Sequence, residues 1–285
     1  MDRNSRDVNC SECIELPSAA SVRPSSYFHW KGILDRAAAI ALLIPGLPMI
    51  GLLVFLIRWN SRGPGIYRQR RVGKDGRIFT MYKLRSMRID AESTTGPVWC
   101  SAGSDPRVTK LGYWLRKLHL DELPQLYNVL RGEMSLIGPR PERPEFVQIL
   151  AESLPDYLDR VRVAPGITGL AQINLPPDTD LNSVRRKLIL DLEYIETAGP
   201  SLDIRMFLCT LTRIMGIKGD LAMKFMGLKR RINEPICVNA DLSPESNSVI
   251  TPEIIAATAN NQLNGVPSAI AESRPVRDKR KLSHL

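Results

Sequence analysis

Residues 37–57 read AAAIALLIPGLPMIGLLVFLI, a run without a single charged side chain, bounded by Arg36 and Arg58. About 20 apolar residues are what a helix needs to cross a bilayer core, so this stretch sets the fold around a membrane. One reading is an uninterrupted spanning helix. Against it stands Pro45-Gly46-Leu47-Pro48 at the midpoint, where two prolines remove backbone donors and disfavour a continuous helix. Each half is then about eight or nine residues, roughly 12–14 Å of helix, too short to cross. Both flanks are basic, with Lys31 and Arg36 before and Arg58 and Arg62 after, which places both ends on the cytoplasmic side. A helix-break-helix that enters and leaves through one leaflet satisfies both facts, provided the freed backbone groups are satisfied within the protein. The re-entrant reading is therefore preferred over the spanning one, with Tyr27, Phe28 and Trp30 at the headgroup level.

Beyond this segment the pattern changes. Residues 66–72 and 77–84 alternate around Gly73-Lys74-Asp75-Gly76, the signature of a β-hairpin. From Arg58 to Arg88 ten basic residues stand against Asp75 alone until Arg88, and Lys83 and Arg85 fall on one face of their strand. Lys110 to Lys117 forms an amphipathic helical segment. A second helix is expected from Glu122 to about Arg131, with Asp121 as N-cap, Pro124 in the first turn and Gly132 as the stop. Arg185 to Ala198 and Leu202 to Ile217 are helical by periodicity. Trp99 and Trp114 are expected to pack on the membrane-facing side.

The formal charge of +9 calls for an anionic partner: nucleic acid, acidic lipid or a phosphorylated substrate. The basic residues cluster beside the apolar segment and no nucleic-acid motif accompanies them, which argues against nucleic acid. Cys10-Ser-Glu-Cys13 lacks a second cysteine pair or nearby histidines and does not make a zinc site. Scattered free thiols fit a reducing, cytoplasm-facing location. The apolar run begins too late for a cleavable signal peptide. Arg274 to Lys281 is a basic stretch in a polar tail.

Asp121 and Glu122 carry the chemistry. Adjacent carboxylates at a helix start have a plain explanation, a cap and a complement to the helix dipole. Their surroundings point further. A helix start offers free N–H groups to phosphate. Arg116 lies upstream, and Gly138-Pro139-Arg140-Pro141-Glu142 follows, with prolines holding the backbone of Arg140 extended. Carboxylates that attack phosphorus or hold Mg2+, beside cations that neutralise phosphate oxygens, suit phosphoryl chemistry. His119, with no second histidine nearby, is read as a surface or packing residue rather than a base. A membrane scaffold that merely recruits acidic lipid would need no such dyad.

The runs Phe79 to Met87, Asp105 to Thr109, Leu120 to Gln125, Met134 to Glu142 and Pro165 to Gln172 resemble, in order, the bacterial sugar transferases, the small monotopic phosphoglycosyl transferases. The resemblance covers roughly residues 30–219. It implies that Asp121 attacks the sugar-bearing phosphate of a UDP-sugar, that UMP leaves, and that polyprenyl (undecaprenyl) phosphate then takes the phospho-sugar from Asp121. It implies Mg2+ near Asp121 and Glu122, with Arg116, Arg140 and Lys83 as phosphate-side cations; Arg85, on the strand face of Lys83, is expected to join them. It further implies a place in the bacterial inner membrane, at the first membrane step of exopolysaccharide or other surface-glycan assembly, ahead of downstream glycosyltransferases. Two departures stand out. Ile44-Pro45 replaces the family's Ser-Pro pair at the helix break, and Ala164 precedes Pro165 where arginine is usual, with Arg162 two residues earlier.

The fold expectation is thus α/β, mainly helical: a polar tail over 1–26, an interfacial and re-entrant membrane helix over 27–60, a compact cytoplasmic catalytic domain with a small β-hairpin over 61–219, and a mostly disordered tail over 220–285.

Overall fold

The computed structural model describes Ile14 and residues 22–89, 91, 105–154, 156–178, 180–216 and 219–230. Cys10, Cys13, Trp99, Cys100, Cys237 and the stretch from Arg274 to Lys281 lie outside the described residues.

Helix α1 (Phe28–Asn60) is a 33-residue element. One side of it meets the rest of the protein at spacings of three and four. Lys31, Asp35, Ala39, Gly46 and Ile57 are buried, and Leu42, Leu43, Ile50, Leu53 and Val54 pack between them. The other side, with Ile33, Ile40, Ile44, Leu47, Leu52 and Phe55, is apolar and exposed. An apolar face of that extent marks a surface that does not belong in water. The helix differs from the expected helix-break-helix, because α1 runs through Pro45 and Pro48 as one element. Each proline removes one intrahelical hydrogen bond. Both rings lie on the exposed side, and Gly46 between them faces Leu126, so packing along the inner face keeps the two halves in register.

Strands β1 (Ile66–Val72) and β2 (Ile78–Leu84) form the expected antiparallel hairpin, Ile66 opposite Leu84 and Val72 opposite Ile78. Asp75 and Gly76 turn the chain at φ of 54° and 72°. Helix α2 (Lys110–Lys117) is capped by Thr109, whose Oγ1 accepts from the Gly112 amide at 2.9 Å. Its Trp114 is exposed, edge-on to Tyr113 and under the Lys117 ammonium. Helix α3 (Gln125–Arg131) ends at Gly132, whose φ of 77° is the left-handed conformation that a helix-ending glycine supplies.

Strands β3 (Ser135–Ile137) and β4 (Gly166–Thr168) pair in parallel, Ser135 with Gly166 and Ile137 with Thr168. Just past this pair Gly138 and Gly166 approach so closely that a Cβ on Gly166 would strike the Gly138 backbone nitrogen. Helices α4 (Pro144–Ser153), α5 (Leu170–Asn174), α6 (Leu181–Thr197) and α7 (Pro200–Ile214) complete the body. Helix α6 begins four residues ahead of the periodic pattern because Asp180 and Ser183 form a reciprocal capping box. Among the described residues the protein is mainly helical, with two two-stranded sheets and one long apolar N-terminal helix.

The folded body extends beyond the expected catalytic boundary. Helix α8 (Gly219–Phe225) falls in the stretch assigned to the tail, yet Ala222, Met223 and Leu228 bury against Met206 and Cys209 of α7. Three apolar contacts spread over ten residues give little periodic signal. At the other end Val22 packs with Val163 and Ile195, and the Ser25 hydroxyl donates to the Ala198 carbonyl at 2.8 Å.

A buried polar junction fastens α1 to this body. Lys31 Nζ lies 2.5 Å from Asp203 of α7 and 3.2 Å from Asp35. Asp35 accepts from the Ser135 hydroxyl at 2.6 Å, and Tyr194 of α6 donates to Asp203 at 2.8 Å. Tyr27, expected among headgroups, is instead buried and donates to Asp203 at 3.1 Å. Removing one partner of a buried charge cluster strands the others at a cost of about 3–5 kcal/mol. Lys31→Met should therefore destabilise the detergent-solubilised protein by about that amount, and Lys31→Met with Asp203→Asn should recover part of it. Thermal unfolding followed by tryptophan fluorescence measures both; an unchanged midpoint in Lys31→Met would show the junction is not holding α1.

Candidate active site

The dyad sits in a turn of its own rather than on a helix cap. His119 is exposed and takes a left-handed φ of 53°, which reverses the chain after α2 into a 3-10 turn, Leu120–Glu122. Pro124, not Asp121, precedes the first residue of α3. Proline lacks the donor a helix start would leave unpaired and has the matching φ, so it begins α3 in place of a side-chain cap. Asp121 is released from capping and is 8% exposed. Among the described residues, no side chain hydrogen-bonds or ion-pairs with its carboxylate.

Glu122 is its opposite. One oxygen, Oε1, receives both Lys83 Nζ at 3.3 Å and Arg140 Nη2 at 3.0 Å. Lys83 arrives from β2, which Asn128 of α3 binds edge-on. The Asn128 amide donates to the Thr80 carbonyl at 2.8 Å and accepts from the Tyr82 amide at 3.2 Å. Arg140 arrives from the extended segment after β3, in which every carbonyl from 139 to 142 is taken. Pro139 O accepts from the Gly166 amide at 2.8 Å and Glu142 O from the Val72 amide at 2.9 Å. Arg160 donates to Arg140 O and Arg71 to Pro141 O, both at 2.9 Å.

The remaining expected cations divide. Arg116 of α2 donates to the Ser86 hydroxyl at 2.8 Å and lies close enough to the dyad to draw down the Asp121 pKa. Arg85 does not join them. Its guanidinium donates to the carbonyls of Ser61 and Arg62 at 2.9 and 2.7 Å, closing the end of α1. The end of β2 at Leu84 breaks the two-residue alternation that put Arg85 beside Lys83. Arg162 lies in the turn Tyr157–Arg162 rather than on a strand, and pairs with Asp159 at 2.5 Å.

These placements drive the two carboxylates apart. Burial and the Glu122 charge raise Asp121, against the pull of Lys83, Arg116 and Arg140. Burial would raise Glu122 as well, but Arg140 and Lys83 together bring it down to about 2. Neighbouring acids with opposed environments take different roles. Glu122 is a fixed anion that holds two cations in place; Asp121 is the more basic carboxylate, its oxygens unclaimed among the described residues. Arg71, Asn128 and Arg160 escaped sequence reading because each acts on the backbone of a distant segment, which leaves no local pattern.

The model of the bacterial sugar transferase family matches residues 26–216. This chain belongs to that family. It is 44% identical over 191 residues to the undecaprenyl-phosphate glucose phosphotransferase of Komagataeibacter xylinus, covering 64% of this chain and 35% of that protein. It is 34% identical over 221 residues to the UDP-glucose:undecaprenyl-phosphate glucose-1-phosphate transferase of Xanthomonas campestris pv. campestris, covering 76% and 45%. With the UDP-N-acetylgalactosamine-undecaprenyl-phosphate N-acetylgalactosaminephosphotransferase of Aeromonas hydrophila it shares 39% identity over 196 residues, covering 68% and 46%. In each case the match takes in less than half of the relative's own length.

Because Glu122 is held far below its ordinary value of 4.5, its ion pairs contribute stability that is full above that value and is lost as pH falls toward about 2. Lys83→Met combined with Arg140→Ala removes the cause of the depression. Acid unfolding of the double variant should therefore set in at higher pH than in the wild type, read by circular dichroism. An identical acid midpoint would contradict the paired geometry.

Proposed function

We propose that this protein transfers a sugar 1-phosphate from a UDP-sugar to polyprenyl phosphate at the membrane surface, through a phospho-sugar held on Asp121. The observation that carries this reading is the asymmetry of the dyad, a buried carboxylate that no side chain among the described residues binds, next to one that binds Lys83 and Arg140. In the first step an Asp121 oxygen attacks the sugar-bearing phosphorus. The bond from that phosphorus to the bridging oxygen breaks, and UMP leaves with the electron pair. In the second step a phosphate oxygen of the polyprenyl phosphate attacks the same phosphorus, and Asp121 departs as a carboxylate. The product is a polyprenyl-diphosphate sugar, the starting unit of a surface glycan. The raised basicity of Asp121 favours it as nucleophile. Lys83, Arg140 and Arg116 supply the positive field for the diphosphate oxygens. Mg2+ characteristically takes one or two carboxylates together with phosphate oxygens and water. Asp121 fits as such a carboxylate; Glu122, already shared by two cations, fits less well. Bound there, Mg2+ would neutralise the diphosphate. The family and the names of the three relatives support the substrate classes.

For the membrane segment we propose a re-entrant path with both ends of α1 on the cytoplasmic side of a bacterial inner membrane. Support comes from what its ends touch. Lys31 near the start pairs with Asp203, while Ile57 near the end packs with Leu84 and Leu115. Both belong to one folded body, and a spanning helix would separate its ends by about 30 Å of hydrocarbon. Single cysteines at His29 and Asn60, in a background without native cysteines, should both react with an impermeant thiol reagent only from the cytoplasmic side. Reaction from opposite sides would restore the spanning helix.

Solubilised protein given Mg2+, polyprenyl phosphate and a panel of UDP-sugars should release UMP with at least one of them, and Asp121→Asn should lose turnover entirely. No release from any sugar, or full activity in Asp121→Asn, would overturn the reaction or its nucleophile respectively.

A further inference from the structure

We infer that Arg160 is a positioning residue that holds Arg140 on Glu122, a role that rests on the proposed phosphoryl transfer at the same site. Arg160 is 9% exposed and its guanidinium is used in three directions. Nη1 donates to the Tyr157 hydroxyl at 2.7 Å. Nη2 donates to Asp191 of α6 at 2.7 Å and to the backbone carbonyl of Arg140 at 2.9 Å. Asp191 is 2% exposed and Tyr157 1% exposed, so both anchors are embedded in the body. The guanidinium is thus fixed at two points, and its third goes to the carbonyl of the one residue after β3 whose side chain reaches the dyad.

What that bond restrains follows from the chain around it. Pro139 and Pro141 have fixed φ, and Pro141 holds the preceding residue in the extended region. The amides of Gly166 and Val72 pin Pro139 O and Glu142 O on either side. Between those two pinned carbonyls Arg160 holds the oxygen of Arg140 itself, tying the stiff segment to the anchored guanidinium. Without that bond the segment could shift as a unit and draw the Arg140 side chain away from Glu122 Oε1. A planar fork spanning a phenol, a carboxylate and a carbonyl is a geometry that lysine does not reproduce. Displacement of a site group by about 1 Å costs on the order of 10²-fold in rate.

The test is a double-mutant cycle. Arg160→Lys and the milder Tyr157→Phe are each made in the wild type and in Arg140→Ala, with kcat/KM for UMP release as the first readout. Arg160→Lys should lose on the order of 10²-fold in the wild-type background, and Tyr157→Phe a smaller factor. In Arg140→Ala neither should cost much further, because the group they position is gone. The same fold-loss in both backgrounds would mean that Arg160 only supports the fold, and would overturn the inference. Hydrogen exchange gives a second readout independent of turnover. The Gly138 amide, bonded to Thr168 O, and the Val72 amide, bonded to Glu142 O, should exchange faster in Arg160→Lys while α6 keeps its protection. Unchanged protection at both overturns the inference. Wild-type protein that releases no UMP from any donor would sink the transfer reaction, and the exchange result then decides the positioning role alone. Should Arg160→Lys not fold, Tyr157→Phe carries both readouts.

Discussion

A single oxygen, Oε1 of Glu122, gathers the site. The hairpin reaches it through Lys83 and the segment after β3 reaches it through Arg140. The body around it is arranged so that these two cations meet there. Asn128 clamps β2 to α3, the close Gly138–Gly166 approach brings β4 under the Arg140 segment, and Arg71 and Arg160 tie its carbonyls to the body. A carboxylate held by two cations stays ionised. Its fixed charge, together with burial, raises the neighbouring Asp121. One ion-paired acid therefore sets the character of the other, and the difference between them suits the dyad to the proposed attack on phosphorus.

The same body holds the long apolar helix: α1 packs from Lys31 to Ile57 along one face and leaves its other face apolar and exposed. Arg85 closes the end of α1 and begins where β2 finishes, two residues beyond Lys83. The hairpin strand that delivers a cation to the dyad thus also leads into the residue that closes the apolar helix. A rigid link between the apolar helix and the site suits the proposed transfer, in which one substrate is soluble and the other is embedded in lipid.

Much of this was legible in the residues. The hairpin, α2, the stop of α3 at Gly132 and the cores of α6 and α7 follow from alternation, helical periodicity and a glycine at a helix end, all of which are local. The dyad and the Pro-Arg-Pro segment were legible as candidates because carboxylates and arginine recur in a stiff context. What escaped depends on distance. Asp121 reads as a cap until Pro124 is seen to begin the helix. Arg85 reads as a partner of Lys83 until the strand is seen to end at Leu84. Two prolines read as a helix break because packing of the inner face of α1 is not written within α1. Arg160 and Asp191 are far apart in the chain, and neither has a neighbour that announces the pairing.

Isotope exchange tests the covalent step most directly. Labelled UMP is incubated with unlabelled UDP-sugar, Mg2+ and the protein, with polyprenyl phosphate left out. A phospho-sugar on Asp121 returns to labelled UMP, so label should enter the UDP-sugar without any lipid acceptor, and Asp121→Asn should show none. Label that enters the UDP-sugar only when polyprenyl phosphate is present, in a protein that completes the full transfer, would contradict the covalent intermediate.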